Sequence, residues 1–431
     1  MLKMKEGPDR NLPPEDRLLV RLSWCCRKFR EHSLIDGEKS LPWLLQQVGG
    51  LLSLFPYTNF AKGMRSLELN DFTDKSRAVF FCLCERFIAS PLCPVDSSSF
   101  ESIDAQDSFE NGMDALVGKG LVIAVAVNNP DNSKASKDNY LLSPEVCGKL
   151  FHGREGLIRP TVIAQFGSII TCKDIRERTL IFPEDLRDRL RLVSRAVAAD
   201  QYDRVVMELT VNGLRGGVTA LLYGPPGTGK TEFVRQLART AGRNILQVDC
   251  AKLDATYYGE KPRNIRDFFR LVRYASAISL SVPIVFVDEA DGFFGRRVQV
   301  EKAADKEENT TVNIILEELN TFNGILLAAT NNISNLDPAM NRRFLLKVEF
   351  PVPDLTTLAR IWQTKLPWLT SDEADTLAER CPMSGGVIDN VAALCLLEKI
   401  IDGKAPSLDR ILRLCAEQRG QGSSVPIGFR R

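Results

Sequence analysis

The sequence predicts an α/β fold: a mostly parallel sheet sandwiched by helices, with a mostly helical N-terminal region before it and a helical C-terminal region after it. Three observations carry that prediction. Short apolar runs at 218–222, 244–248, 284–287 and 325–329 alternate with longer amphipathic stretches, as buried strands joined by crossover helices do. A glycine-rich segment leaves the first run and opens a helical stretch that continues through Ala238. After Pro351 the strands stop, and 355–363, 373–380, 387–401 and 408–418 read as helices.

In the N-terminal half, residues 15–30 place Leu18, Leu19, Leu22 and Cys26 at helical spacing, and 41–55 is a second apolar stretch broken by Gly49 and Gly50. These make residues 1–75 a small helical region. Residues 77–89 predict a buried helix with Val79, Phe80, Leu83 and Phe87 inward, and 100–117 a helix interrupted by Gly112. The branched run 121–127 predicts a strand, 128–132 a turn, and 139–142 the returning strand. Helices followed by a hairpin resemble a winged-helix domain over 76–158. Residues 159–183 read as a connector, 184–212 as helix, 184–350 as the α/β core and 351–431 as the helical C-terminal region. Residues 296–311 are the most loop-like stretch of the core.

Composition narrows the function classes. With 56 Lys+Arg against 55 Asp+Glu the net charge is +1, so bulk charge predicts neither a nucleic-acid nor a membrane partner. Eleven cysteines without repeated spacing and two histidines argue against a structural zinc site. The charged N-terminus has no apolar core for a secretory signal, and no apolar run approaches the ~20 residues of a membrane helix. A cytoplasmic protein with reduced thiols is the consistent expectation.

Gly224-Pro225-Pro226-Gly227-Thr228-Gly229-Lys230-Thr231 satisfies G-x-x-x-x-G-K-[ST] at every fixed position. Such a loop lets backbone N–H groups approach phosphate oxygens, and the helix N-terminus adds positive potential. Lys230 is then expected to reach the β- and γ-phosphates of ATP, and Thr231 to offer its hydroxyl to Mg²⁺. The core is thus predicted to be a P-loop NTPase sheet. Asp288 and Glu289 end the run 284–287, at the edge where parallel sheets bind ligands. Asp288 would hold Mg²⁺ and Glu289 would polarise the attacking water. Asn331, at the end of the run 325–329, is placed to orient that water.

From about residue 180 to 418 the chain resembles a AAA-family ATPase of the protein-remodelling branch. The phosphate loop, Asp288-Glu289-Ala290-Asp291, Ala329-Thr330-Asn331 and Leu336-Asp337-Pro338-Ala339 occur in the family's order. The resemblance implies a helical lid at 351–431 and a homo-oligomeric ring, usually of six subunits, with ATP at subunit boundaries. It also implies finger arginines after Leu336-Asp337-Pro338-Ala339. Arg343 keeps its place before Phe344, and Arg342 is the nearest candidate for the first finger in a segment shorter than the family's commonest form. Tyr257-Tyr258-Gly259 resembles the family's first pore loop, with Tyr257 in the gripping position. Pro262 departs from a usually acidic residue. Gly385 and Gly386 stand where many relatives in the wider class carry an arginine, which implies close backbone approach of Gly386 to the nucleotide.

Residues 1–150 hold 18 Lys+Arg and 20 Asp+Glu. The helix that would read DNA carries Glu101, Asp104, Asp107, Glu110 and Asp114 and no basic residue, a surface that repels phosphates. Protein recognition is favoured over DNA binding. The sequence therefore predicts a Mg-dependent ATPase that remodels or threads a protein substrate. The alternative is a nucleotide-gated, DNA-associated or signalling switch or loader.

Overall fold

The computed structural model describes residues 12–30, 40–125, 139–254, 260–295 and 303–420. These described residues divide into two compact units, one made of those up to residue 164 with 267–282, the other of those in 165–266 with those from 283 on.

Among the described residues the first unit is helical apart from one antiparallel pair of strands, β1 (Val122–Val125) and β2 (Asn139–Leu142), with Val122 opposite Leu142. Thr73 and Ser102 cap the helices Asp74–Ala89 and Ile103–Gly118 by accepting from the N–H groups of Ser76 and Ala105. Two expected interruptions are absent. Gly49 and Gly50 lie inside an unbroken helix, Leu41–Leu54, with open space around them. Gly112 also lies mid-helix. A Cβ there would sit 2.8 Å from Ser76 Cα, so the missing side chain lets two helices touch. Cys26, Cys84 and Cys147 are fully buried. Burial holds their thiols well above the ordinary value, so they pack as small apolar residues. Tyr274, also buried, donates its hydroxyl to the Leu142 carbonyl.

The second unit is built on a six-stranded sheet. Its strands are β3 (Gly167–Ile170), β4 (Val218–Tyr223), β5 (Ile245–Val248), β6 (Ile284–Val287), β7 (Ile325–Thr330) and β8 (Leu346–Glu349), in the order β3-β5-β6-β7-β4-β8. All neighbours run parallel except β3, which is antiparallel to β5. The four expected strands are β4 to β7, and every residue of β6 and β7 is buried. With helices flanking the sheet, this is the P-loop NTPase α/β fold.

Two strands were not expected. β3 falls within the segment read as a connector, and β8 precedes the expected end of the strands. Both are edge strands with half of each exposed, so neither shows the apolar run of a central strand. The helix expected across 184–212 is two helices, Glu184–Val197 and Tyr202–Val211. Part of the stretch read as loop is helix, Ala303–Asn320. At the C-terminus the helices Leu355–Lys365, Ser371–Arg380, Gly385–Asp402 and Leu408–Gly420 close on a core of Leu358, Trp362, Leu377, Ile388, Val391, Cys395 and Leu414. Among the described residues no helix is long and apolar enough to cross a membrane.

Candidate functional site

The sheet order places β4, β6 and β7 side by side, so the turns leaving their C-terminal ends meet. They line a cavity of about 400 Å³, within the usual range for small-molecule sites. Pro226 to Thr231, Asp288, Glu289, Asn331, Gly385 and Gly386 all face it.

The phosphate loop keeps a shape that side chains would forbid. Gly224, Gly227 and Gly229 have φ of 143°, 75° and 98°, the region that favours glycine. A Cβ on Gly224 would collide with the Phe350 carbonyl, and one on Gly227 with the Ser384 hydroxyl. Thr228 ties the loop by donating to the Pro225 carbonyl at 2.9 Å. Lys230, only 6% exposed, starts the helix Lys230–Ala241. Its Nζ donates to the Gly224 and Pro225 carbonyls at 2.7 and 2.8 Å. Burial lowers its pKa, and Asp288 opposes that by favouring the cation.

Thr231 Oγ1 donates to Asp288 Oδ2 at 2.9 Å. The pair is a hydroxyl and a carboxylate at the end of the phosphate loop, the hard oxygen donors that Mg²⁺ accepts. Glu289 has a positive φ of 50°, uncommon for a residue with a side chain. The turn is held on both sides: the Glu289 N–H donates to Asp288 Oδ1 at 3.1 Å, and Ala290 N–H to the Ala329 carbonyl at 2.8 Å. Asp291 accepts from the Thr330 hydroxyl at 3.0 Å, which joins the ends of β6 and β7 just before Asn331. Strain of this kind concentrates at functional turns.

The helix Gly385–Asp402 begins against the phosphate loop, with Gly386 N–H donating to the Gly227 carbonyl at 3.0 Å. Arg342 and Arg343 do not line this cavity. Arg342 is exposed, whereas Arg343 is half-buried and donates through Nη1 to the Ala339 carbonyl at 3.1 Å. Tyr257, Tyr258 and Gly259 lie outside the described residues.

Residues 220–352 match the family model described as ATPase family associated with various cellular activities (AAA). The chain carries an AAA domain. Over 167 residues it is 35% identical to 26S proteasome regulatory subunit 6A of Saccharomyces cerevisiae, covering 37% of each chain. Over 248 residues it is 29% identical to the proteasome-activating nucleotidase of Aeropyrum pernix, covering 55% of this chain and 56% of that one. The chain thus spans between about two fifths and just over half the length of these curated relatives. Among solved structures, a chain of an E. coli MS115-1 HORMA:CdnC:Trip13 complex superposes with a TM-score of 0.48 at 17% identity, over 59% of this chain and 96% of that chain.

An AAA domain binds nucleotide. Much of the rest of the cavity wall escaped the sequence reading: Leu180, Ile181, Phe182, Pro351, Pro353, Ile361, Lys365 and Asp389 line it as well. Phe182 meets Phe233 and Phe350 edge-on at 6.5 and 5.6 Å, which pins the segment before the helix Glu184–Val197 to the base of the phosphate loop. The apolar run Leu180-Ile181-Phe182 is the only signal these residues leave in the sequence, and three residues are too few for periodicity to read.

Proposed function

We propose that this chain is a Mg-dependent ATPase subunit of a homo-oligomeric ring that remodels or threads a protein substrate. One observation carries the reading: the phosphate loop, the Thr231–Asp288 pair, the strained Glu289 and Asn331 converge on one cavity. The glycine cradle fits a triphosphate, and the buried Lys230 supplies the cation beside it. Thr231 and Asp288 would hold Mg²⁺, whose charge offsets that of the phosphates.

Glu289 accepts a proton from the attacking water, and Asn331 orients that water. The left-handed turn at Glu289 presents its carboxylate to the cavity. Arg343, with Arg342 beside it, would complete the site of a neighbouring copy, where a guanidinium neutralises charge developing on the transferred phosphoryl. Their absence from the cavity of their own chain agrees with such a role. Gly386 holds the helical lid against the phosphate loop, so loss of the γ-phosphate is felt at the lid.

Tyr257, with Tyr258 and Gly259, would contact the threaded polypeptide, because an aromatic face grips many sequences. Protein rather than DNA as substrate is supported by the helix Ile103–Gly118. Asp104, Asp107, Glu110 and Asp114 are all exposed on it, with Lys75 paired to Asp107 at 2.7 Å. We place this helix and the β1–β2 pair in a winged-helix-like domain that serves recognition in a cytoplasmic protein. The test has two stages. Glu289→Gln protein with ATP should retain its protein target, and wild type should then unfold that target while Tyr257→Ala hydrolyses ATP without unfolding it. Equal unfolding by both proteins would end the threading reading.

A further inference from the structure

We infer that Asp389, held by Lys365, is a nucleoside-reading residue: its carboxylate accepts a hydrogen bond from a donor on the bound nucleoside, either the ribose 2′-hydroxyl or the adenine amino group. This rests on the nucleotide site proposed above and adds a selectivity to it.

The placement follows from the lid helix Gly385–Asp402. Gly386 and Asp389 are three residues apart, so they share one face of that helix. Gly386 touches the phosphate loop through its bond to Gly227. Asp389 therefore faces the same cavity about 4.5 Å further along the helix axis, and both residues line it. The phosphate-binding and catalytic groups, Lys230, Thr231, Asp288, Glu289 and Asn331, come from the segments that leave the C-terminal ends of β4, β6 and β7. The lid offers Ile361, Thr364, Lys365, Gly385, Gly386 and Asp389. With the triphosphate on the loop, the nucleoside falls between the lid and the apolar Leu180 and Ile181. Among the described residues Asp389 is the one carboxylate on that lid wall.

Its chemistry is available for a ligand. Lys365 Nζ lies 2.6 Å from Asp389 Oδ1 and links the end of the helix Leu355–Lys365 to the first turns of the helix Gly385–Asp402. The other carboxylates of the cavity are committed. Glu232 accepts from Gln236 at 2.8 Å and Arg178 at 3.5 Å, Asp288 accepts from Thr231, and Glu289 sits at the hydrolytic end. Oδ2 of Asp389 makes no hydrogen bond to any other described residue, so it keeps its lone pairs for the ligand. An ionised carboxylate held in place by a cation is a stronger and better-oriented acceptor than a neutral one. Asp389 is partly exposed, at 43% of its side chain, so solvent screening keeps the effect modest.

The test is isothermal calorimetry on full-length Glu289→Gln protein, in which turnover is suppressed. Titrants are Mg-bound ATP, 2′-deoxy-ATP and inosine triphosphate. The first analogue lacks a sugar hydroxyl and the second lacks the adenine amino group. We expect one of the two to bind about three- to tenfold more weakly than ATP, and which one identifies the donor. Adding Asp389→Ala should weaken ATP to the level of that analogue and leave the analogue unchanged. Adding Lys365→Met should narrow the discrimination without abolishing it, because it removes the ion pair that orients Asp389 and leaves the carboxylate. This variant separates reading the nucleoside from bracing the lid. The inference is overturned if neither analogue is discriminated, if Asp389→Ala leaves the gap intact, or if it weakens all three nucleotides equally. A parent protein that binds none of the three would remove the nucleotide site itself, a different failure with a different signature.

Discussion

Gly227→Ala tests how the phosphate loop and the lid are fitted together. Gly227 has φ of 75°, and its carbonyl accepts from Gly386 N–H at 3.0 Å. An added Cβ would collide with the Ser384 hydroxyl, approach Ser384 Cβ to 3.0 Å and come 3.4 Å from the Gly386 nitrogen. A left-handed conformation costs a residue with a side chain about 1–2 kcal/mol. Losing the contact with Gly386 costs about 1 kcal/mol more. Gly227 is exposed, so the substituted loop relaxes without unfolding the domain, and binding must restore its shape. The cost then appears mainly as affinity: about 2–3 kcal/mol, or roughly 30- to 140-fold weaker ATP binding by calorimetry, with the melting temperature lowered by only about 2–4 °C. Ser384→Gly in the same chain removes the colliding side chain. Ser384 makes no side-chain capping bond at the start of its helix, so its loss costs only a few tenths of a kcal/mol. The double variant should recover about 1 kcal/mol, roughly fivefold in affinity. Gly227→Ala binding within about threefold of wild type, or no recovery from Ser384→Gly, would refute the argument.

Lys230→Ala should abolish measurable ATP binding, because the loop loses the buried cation that now bonds Gly224 and Pro225. Arg343→Ala should leave nucleotide affinity nearly unchanged and lower the ATPase rate of the assembly, with partial recovery on mixing with Glu289→Gln protein. Full-rate hydrolysis by a monomer would contradict a role in trans. In the first unit, burial raises the pKa of Glu85 above its ordinary value of 4.5, although Arg30 lies 3.1 Å away and favours the charged form. A raised folded-state value means that Glu85's contribution to stability is fully present below the ordinary value and is lost as pH rises through the raised one. Glu85→Gln should therefore flatten the fall in melting temperature over that window, and an unchanged pH profile would show that Glu85 does not titrate there.

The fold was legible where burial on both faces leaves unbroken apolar runs, as in β4 to β7. It was illegible in β3 and β8, because half of each edge strand is exposed and their four residues each are too few to show a period. Glycine misled in two ways. Gly112 looked like a break but is a contact point between helices, a property of the partner Ser76 rather than of its own neighbours in sequence. Gly49 and Gly50 lower helix propensity, and packing of Leu44, Val48 and Leu51 overrides it. In the site, the phosphate loop and the Asp288–Glu289 turn carry fixed spacings that sequence can show. The lid wall does not: Lys365 and Asp389 are 24 positions apart, and only the packing of two helices makes them a pair.

Steady-state phosphate release by Glu289→Gln protein, against wild type at saturating Mg·ATP, tests the central claim most directly. Removing the group that takes the proton from water should lower the rate by about 10²–10⁴-fold. The phosphate loop and the Thr231–Asp288 pair stay intact, so ATP should still bind. A Glu289→Gln protein that releases phosphate at the wild-type rate would contradict the account.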